Sequence, residues 1–262
     1  MNGELPVGRW ERAIAARVSR RRYLPRDPDP SLLQRLEDHC ARFRPLGAPR
    51  ALLVSPCPPD LFRGIVGSYG SIRGATSCLV FAGPAGAEAQ VGYVGEAAVL
   101  EATALGLGTC WVGGLFRPDA LGGRAALAPG ERVWAVAAVG IPPDRKSLEE
   151  RLMAGIARSR TRRPAEELAR GVGGWPAWAA RAVAAARLAP SALNRQPWRF
   201  RREGGTLVLC AEGPDTYAIP KRLDCGIALL HAELGARAAG WTGGWELLPA
   251  PGVAAFRHAS QR

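Results

Sequence analysis

The stretch APSALNRQPWRF, at residues 189–200, decides how the chain around it folds. It follows an alanine-rich run of helical character, and its two prolines forbid a continuous helix. Each proline also restricts the residue before it to extended geometry. We therefore predict a rigid helix-to-strand turn that presents the hydroxyl of Ser191 and the amides of Asn194 and Gln196. The plain structural interpretation of this turn is that Ser191 and Asn194 cap backbone groups.

The composition indicates a soluble globular protein. The chain has 262 residues, of which 47% are hydrophobic, enough to bury a core in one large domain or two small ones. It contains no apolar run of the roughly 18–20 residues that a membrane span needs. The N-terminal segment has no apolar region of a secretory signal, so we expect a cytoplasmic protein without a membrane partner.

The cysteines and histidines do not suggest a metal centre. Six cysteines and three histidines are scattered along the chain, without a C-x-x-C pair or the spacing of a metal site. Cysteines of this kind usually behave as small buried hydrophobes. The sequence therefore predicts no metal ligand and no side-chain nucleophile.

The formal net charge of +12 points to an anionic partner. A basic surface attracts polyanions, and nucleic acid is one such partner. The arginines are spread along the chain rather than gathered in one stripe, and small phosphate-bearing ligands fit equally well.

Two motifs recur at one offset. WVGG at 111–114 and WTGG at 241–244 lie 130 positions apart (241 − 111 = 130). The strand-like segments ATSCLVFAG and GTLVLCAEG end at Gly83 and Gly213, again 130 apart (213 − 83 = 130). The same element order between them indicates duplication. We predict one half over residues 1–155 and a second over 156–262, forming one compact unit.

A helical pattern separates each strand from its W-x-G-G motif. In GEAAVLEATALGLG and DCGIALLHAELGARAAG the apolar residues approach helix spacing, with acidic residues on the opposite face. Duplicated halves commonly pack as a pseudo-dimer with a ligand at the seam. RVSRRRY, residues 17–23, occurs only in the first half and APSALNRQPW only in the second, so a site that needs both would form once per chain.

RVSRRRYLP follows a helix that contains Trp10 and Ile14. Guanidinium groups beside the Ser19 hydroxyl can grip a phosphate through charge-assisted hydrogen bonds. A solvated basic helix end, or a nucleic-acid contact, explains the same cluster. GLGTCWVGG, residues 106–114, is neither a P-loop nor a dinucleotide fingerprint, because its first glycines end a helix. Gly113 and Gly114 then form either a plain turn or a surface against which a flat ligand can lie.

Together these motifs resemble the FMN-dependent nitroreductase family, whose members open with R-R-S-x-R-x-F and carry A-P-S-x-x-N-x-Q-P-W. The chain is similar to a subgroup in which two trimmed halves are fused. The resemblance covers nearly the whole chain and implies an α+β fold with mixed β-sheets flanked by helices and an internal pseudo-two-fold repeat.

The resemblance also implies a set of FMN-binding residues. Arg17 and Ser19 would hold the phosphate, Arg21 would lie near the pyrimidine edge of the ring, and backbone N–H groups of the 112–114 loop would face its N5. The turn of the second half would press on the ring. The full set that it implies is Arg17, Val18, Ser19, Arg21, Val112, Gly113, Gly114, Arg160, Arg162, Pro190, Ser191 and Asn194.

Three departures qualify this resemblance. Val18 stands where the family has a second basic residue, the first half has no A-P-S-x-x-N, and the second half has only a faint R-S-x-R. We therefore expect one flavin site, in a monomer that acts as a pseudo-dimer.

The expected function is an oxidoreductase that passes a hydride from NAD(P)H through FMN to a nitroaromatic, a quinone or a similar acceptor. One alternative is an FMN-binding protein of the same fold with a specialised reaction or no reductase activity. The other is a basic nucleic-acid-binding protein, which would need aromatic residues among its basic ones.

Overall fold

Two four-stranded antiparallel sheets are each covered by one of two long helices, and these helices pack against each other. The computed structural model describes residues 5–63, 71–144, 161–216 and 218–258. Within these ranges the α-helices are α1 Val7–Ala16, α2 Pro30–Arg42, α3 Glu88–Ala104, α4 Ala165–Leu168, α5 Ala177–Ala186 and α6 Lys221–Ala238. The strands are β1 Arg50–Val54, β2 Ser77–Pro84, β3 Gly108–Val112, β4 Glu131–Gly140, β5 Trp198–Glu203, β6 Thr206–Ala211, β7 Gly243–Leu247 and β8 Gly252–His258.

The two sheets share one strand order. The first runs β1-β2-β4-β3 and the second β5-β6-β8-β7, so each strand of the first sheet has a counterpart four strands later. Every named strand pair is antiparallel, whereas mixed sheets were expected. In the described residues the parallel component consists of two isolated bridges, Ser19 with Thr109 at the edge of β3 and Arg22 with Arg73. The expected α+β, nitroreductase-like architecture is confirmed.

The predicted helix ends and turns follow from local chemistry. Gly106 has a φ of +83°, and the N–H of Leu107 bonds the carbonyl of Ala102, which is the glycine C-cap that the sequence predicts after α3. In the second half Gly240 has a φ of +79° and Trp241 bonds Ala236 in the same way.

Helices α3 and α6 cross at two glycines that allow their backbones to touch. A Cβ added to Gly92 would lie 2.0 Å from the carbonyl oxygen of Leu223, and one added to Gly226 would lie 1.9 Å from that of Ala89. The two contacts exchange under one relation, because 226 − 92 and 223 − 89 both equal 134. The crossing therefore has pseudo-two-fold symmetry.

This relation corrects the offset that the W-x-G-G motifs suggest. The helix-capping glycines also lie 134 positions apart (240 − 106 = 134). Trp111 lies inside β3, whereas Trp241 precedes β7, so the two motifs occupy different places in the fold. The true counterpart of Trp111 under the 134-residue relation is Trp245 (245 − 111 = 134).

The acidic residues of α3 and α6 do not form a solvent-facing side. Glu96, Glu101, Asp224 and Glu233 are all buried, because each helix is enclosed by its sheet, its partner helix and further elements. Each carboxylate has a partner, as burial of a charge requires. Trp10 donates to Glu101 over 3.0 Å, for example.

Candidate functional site

A cleft of about 1140 Å³, including its opening to solvent, lies between the two halves. Its walls come from the segment after α1, from the end of β3 and the loop beyond it, from the turn after α5, and from the first turns of α6. Ten of the twelve predicted site residues line it: Arg17, Ser19, Arg21, Val112, Gly113, Gly114, Arg162, Pro190, Ser191 and Asn194. Motifs separated by more than 170 positions in the sequence thus meet at one site.

The basic motif of the first half contributes alternate residues to the cleft. Its backbone is held against β3, where Arg20 N–H donates to Thr109 over 2.8 Å, and against Arg73, which receives the Tyr23 N–H and donates to the Arg21 carbonyl. In an extended segment successive side chains point to opposite sides. Arg17, Ser19 and Arg21 accordingly line the cleft. Val18 is not among the residues that line the cleft and is 37% exposed, and its contact with FMN stays a prediction.

Arg17 lies deep in this wall. Its side chain is 7% exposed, and its Nε is 3.9 Å from Oε1 of the buried Glu96. That separation is too long for a hydrogen bond, and the buried Nε of Arg17 bonds nothing in the described ranges.

Glu96 connects the cleft wall to the core. One of its oxygens accepts from Nε1 of Trp111, which lines the cleft, over 2.7 Å. The other lies 2.9 Å from Nε2 of His231, which is fully buried on α6. This carboxylate therefore links Trp111 in the cleft wall to His231 on α6.

The second half supplies one further cation. Arg162 lines the cleft, and its Nη1 donates to Oδ1 of Asn194 over 3.1 Å. Burial, together with the positive charges of Arg17 and Arg187, lowers the pKa of Arg162 from its ordinary value. Because these like charges repel one another, an anion between them would be favoured. The predicted Arg160 lies outside the described residues.

The loop after β3 forms a wall with few side chains. A Cβ on Gly113 would lie 3.0 Å from Ile219, whereas one on Gly114 would meet open space. Leu115 follows with a φ of +61° and is 48% exposed at the cleft. A non-glycine residue in this left-handed region is uncommon and often marks a functional segment.

The predicted rigid turn lies between α5 and β5, with a short 3-10 helix at Ala192–Asn194. Ser191 Oγ accepts from the N–H of Gln196 over 3.0 Å, so the backbone-capping role expected of Ser191 is confirmed. Asp224, at the start of α6, accepts the Ala192 N–H at 3.1 Å and pairs with Arg195 at 2.7 Å. Burial raises the pKa of the Asp224 carboxyl to about 6, although the Arg195 guanidinium opposes this.

On α3 an aromatic residue stands at the position that corresponds to a cleft residue of α6. Under the 134-residue relation Tyr93 corresponds to Ile227, which lines the cleft (227 − 93 = 134). Tyr93 is 3% exposed, stacks on Phe43 with ring centroids 6.3 Å apart and donates to Glu233 over 2.8 Å. The α3 position that corresponds to Ile227 is thus packed with aromatic rings.

Several cleft residues were not predicted from the sequence, and those on β3 and α6 belong to elements with an obvious packing role. Asp224 had a usable signal, since a carboxylate among apolar residues of a helix needs a special partner. The apolar cleft residues carry no such signal in the sequence. The residues missed are Ile72, Cys110, Trp111, Leu115, Ala192, Leu193, Ile219, Leu223, Asp224 and Ile227.

Two absences hold for the part of the chain that the structure describes. No helix there is both long and apolar enough to cross a membrane. No group of three or more His, Cys, Asp or Glu residues there is arranged to hold a metal ion.

The helices and two antiparallel sheets define an α+β class of protein, and comparison with known proteins identifies the family. Residues 11–236 match the family model described as "Putative TM nitroreductase". Because this match spans most of the sequence, the chain belongs to that nitroreductase family. No curated protein matches the chain.

One solved structure shares the fold over nearly the whole chain, and two others align with part of it. A "putative nitroreductase" from Thermotoga maritima is 24% identical, with a TM-score of 0.64, and the alignment covers 95% of this chain and 92% of that one. A nitroreductase family protein from Clostridium difficile 630 is 22% identical, covering 59% and 94% of the two chains with a TM-score of 0.44. An FMN-dependent nitroreductase from Clostridium difficile R20291 is 14% identical, covering 52% and 88% with a TM-score of 0.42.

Proposed function

We propose that the chain is an FMN-dependent oxidoreductase that transfers a hydride from NAD(P)H to a small acceptor such as a nitroaromatic or a quinone. The observation that carries the proposal is the convergence of Arg17, Arg21 and Arg162 on one cleft that also has the glycine wall. Family membership supports the same reaction class.

The residues present fit FMN in charge. Three guanidinium groups line the cleft, against one carboxylate, Asp224, which is already paired with Arg195. The buried Nε of Arg17 has no hydrogen-bond partner among the described residues, and a buried donor of this kind calls for an acceptor. A phosphate group supplies acceptor oxygens and negative charge together. Arg17, Ser19 and Arg162 would hold it.

The residues also fit FMN in shape. Gly113 and Gly114 leave backbone N–H groups accessible to a flat ring, and Pro190 and Ser191 face the same space.

The protein's part in the reaction is binding and electrostatics. Bound FMN supplies the two-electron hydride chemistry. Arg21 adds a positive charge to the wall, which favours the negative charge that a bound group gains when it accepts electrons. The apolar side chains of Ile219, Leu223 and Ile227 limit water at the inner wall.

We further propose that the two halves, residues 1–155 and 156–262, act as a pseudo-dimer that binds one FMN. The shared strand order and the symmetric glycine crossing support two equivalent halves. The aromatic filling of the second seam supports a single site.

The test begins with the visible absorbance of the purified protein, followed by titration of the apoprotein with FMN. Oxidation of NADH and NADPH is then followed with menadione and with nitrofurazone as acceptors. We expect FMN bands and acceptor-dependent oxidation. FMN binding without turnover of either acceptor would leave the FMN-binding alternative and refute the reductase proposal.

A further inference from the structure

The turn at residues 191–196 adopts a backbone that residues with a Cβ rarely tolerate. Leu193, Asn194 and Gln196 have φ values of +52°, +56° and +48°. Such conformations persist only where the surroundings hold them. Here Asp224 anchors the turn at Ala192, and the Ser191 hydroxyl closes it.

This backbone directs two amide side chains at one neighbouring segment. Asn194 Nδ2 donates to the carbonyl of Thr161 over 2.8 Å, and Gln196 Nε2 donates to the same oxygen over 3.3 Å. Gln196 Oε1 accepts the N–H of Arg163 over 3.0 Å. Hydrogen bonds therefore hold the backbone on both sides of Arg162, at the Thr161 carbonyl and at the Arg163 N–H.

The grip extends to the Arg162 side chain. Asn194 Oδ1 accepts from Arg162 Nη1 over 3.1 Å, and Gln196 Nε2 donates to the same Oδ1 over 3.3 Å. Both hydrogen-bonding ends of the Asn194 amide are therefore committed to residues 161–162. Gln196 is 3% exposed, whereas Asn194 is partly buried and Thr161 and Arg163 are exposed, so the network runs from the surface to a buried amide beneath the turn.

We infer that Asn194 and Gln196 are positioning residues, which hold Arg162 at the cationic end of the cleft. Asn194 then acts on the cofactor through Arg162, rather than by direct contact of its amide with the ring. For its ligand the inference rests on the proposed function. The clamp, by which we mean the hydrogen bonds from Asn194 and Gln196 to residues 161–163, is a property of the chain alone. Residues that share one hydrogen-bonded network give non-additive effects when both are substituted.

The binding experiment compares FMN with riboflavin, which lacks the phosphate, in Asn194→Gly, Arg162→Ala and the double variant. Glycine is chosen because it tolerates the positive φ. We expect Asn194→Gly to weaken FMN about tenfold and riboflavin less than threefold. In the Arg162→Ala background the same change should weaken FMN less than threefold. Equal losses for both ligands, or the same loss in both backgrounds, would overturn the inference.

A second readout needs no flavin. Trypsin cleavage of the apoprotein between Arg162 and Arg163 is followed by mass spectrometry in wild type, Asn194→Gly and Gln196→Gly. Release of the clamp should accelerate this cleavage at least fivefold in both variants, because the segment opens more often. The matched control is Ala126→Gly, at another positive φ (+41°) away from the cleft.

Cleavage rates equal to wild type in both glycine variants would refute the clamp, even if FMN binds. Conversely, a wild-type protein that binds no FMN refutes the proposed function while the proteolysis result still decides the clamp.

Discussion

The glycine crossing of α3 and α6 yields a prediction with a built-in internal check. In Gly226→Ala the new Cβ would start 1.9 Å from the Ala89 carbonyl oxygen, and in Gly92→Ala it would start 2.0 Å from that of Leu223. Contacts of a Cβ become ordinary only beyond about 3.4 Å, so the helices must separate by roughly 1.5 Å. Both obstacles are backbone atoms and cannot rotate away.

The magnitude follows from two opposing effects. Overpacking a core typically costs about 1–3 kcal/mol, and more where backbone must move. Replacing a helix glycine by alanine returns about 1 kcal/mol of helix propensity. Because the whole α3–α6 interface must open, we expect each variant to lose about 2–4 kcal/mol of unfolding free energy. The double variant should lose less than the sum, since one separation accommodates both methyl groups.

The assay is urea unfolding followed by circular dichroism, with the slope m checked for constancy. Gly8→Ala, in helix α1, is the matched control. The nearest atom to its new Cβ, apart from its chain neighbours and the nearby backbone of its own helix, would be Nη1 of Arg12 at 3.9 Å. It should leave stability unchanged or slightly raised. A Gly226→Ala protein within 0.5 kcal/mol of wild type would refute the crossing geometry. Full additivity of the two glycine substitutions would refute the single shared separation.

Three further outcomes are expected. Arg17→Ala should weaken FMN by about 1.5–3 kcal/mol, the scale of a charged hydrogen bond, and riboflavin far less; isothermal titration measures both, and equal losses would point to a folding defect. FMN titration should saturate at one per chain, whereas two per chain would contradict the filled seam around Tyr93. Burial raises the pKa of Asp224 to about 6, so the folded protein holds this proton more tightly than the unfolded chain does. The resulting stabilisation is complete below about pH 4 and is lost as the pH rises through 6. The unfolding free energy of wild type relative to Asp224→Asn should therefore fall by roughly 2–3 kcal/mol between pH 4 and pH 7, and a constant difference in urea unfolding would contradict the raised pKa.

Local features of the fold were predictable, because proline and glycine act on their own backbone. The turn after α5 and the glycine C-cap of α3 both follow from residues within a few positions. The alternation that brings Arg17, Ser19 and Arg21 to one wall is equally local.

Features that join distant segments were not predictable in this way. The Glu96–His231 contact spans 135 positions, and no spacing rule links those two residues. Asn194 shows the same limit, since its type fits a capping role, a ring contact or a clamp. Which of these it adopts depends on Thr161 and Arg162, some thirty residues earlier. The repeated W-x-G-G letters misled for a related reason, because short glycine motifs arise independently in different turns.

The symmetric crossing of α3 and α6 also bears on how the two seams came to differ. In a dimer of identical chains every substitution appears twice, so an aromatic residue that closes one pocket closes both. In the proposed pseudo-dimer the paired positions are separate codons, so the packed ring of Tyr93 places no ring at Ile227, which lines the cleft. In that arrangement the two seams lie in one chain, so each can change its residues independently of the other. One is free to become core, and the other to specialise for its ligand.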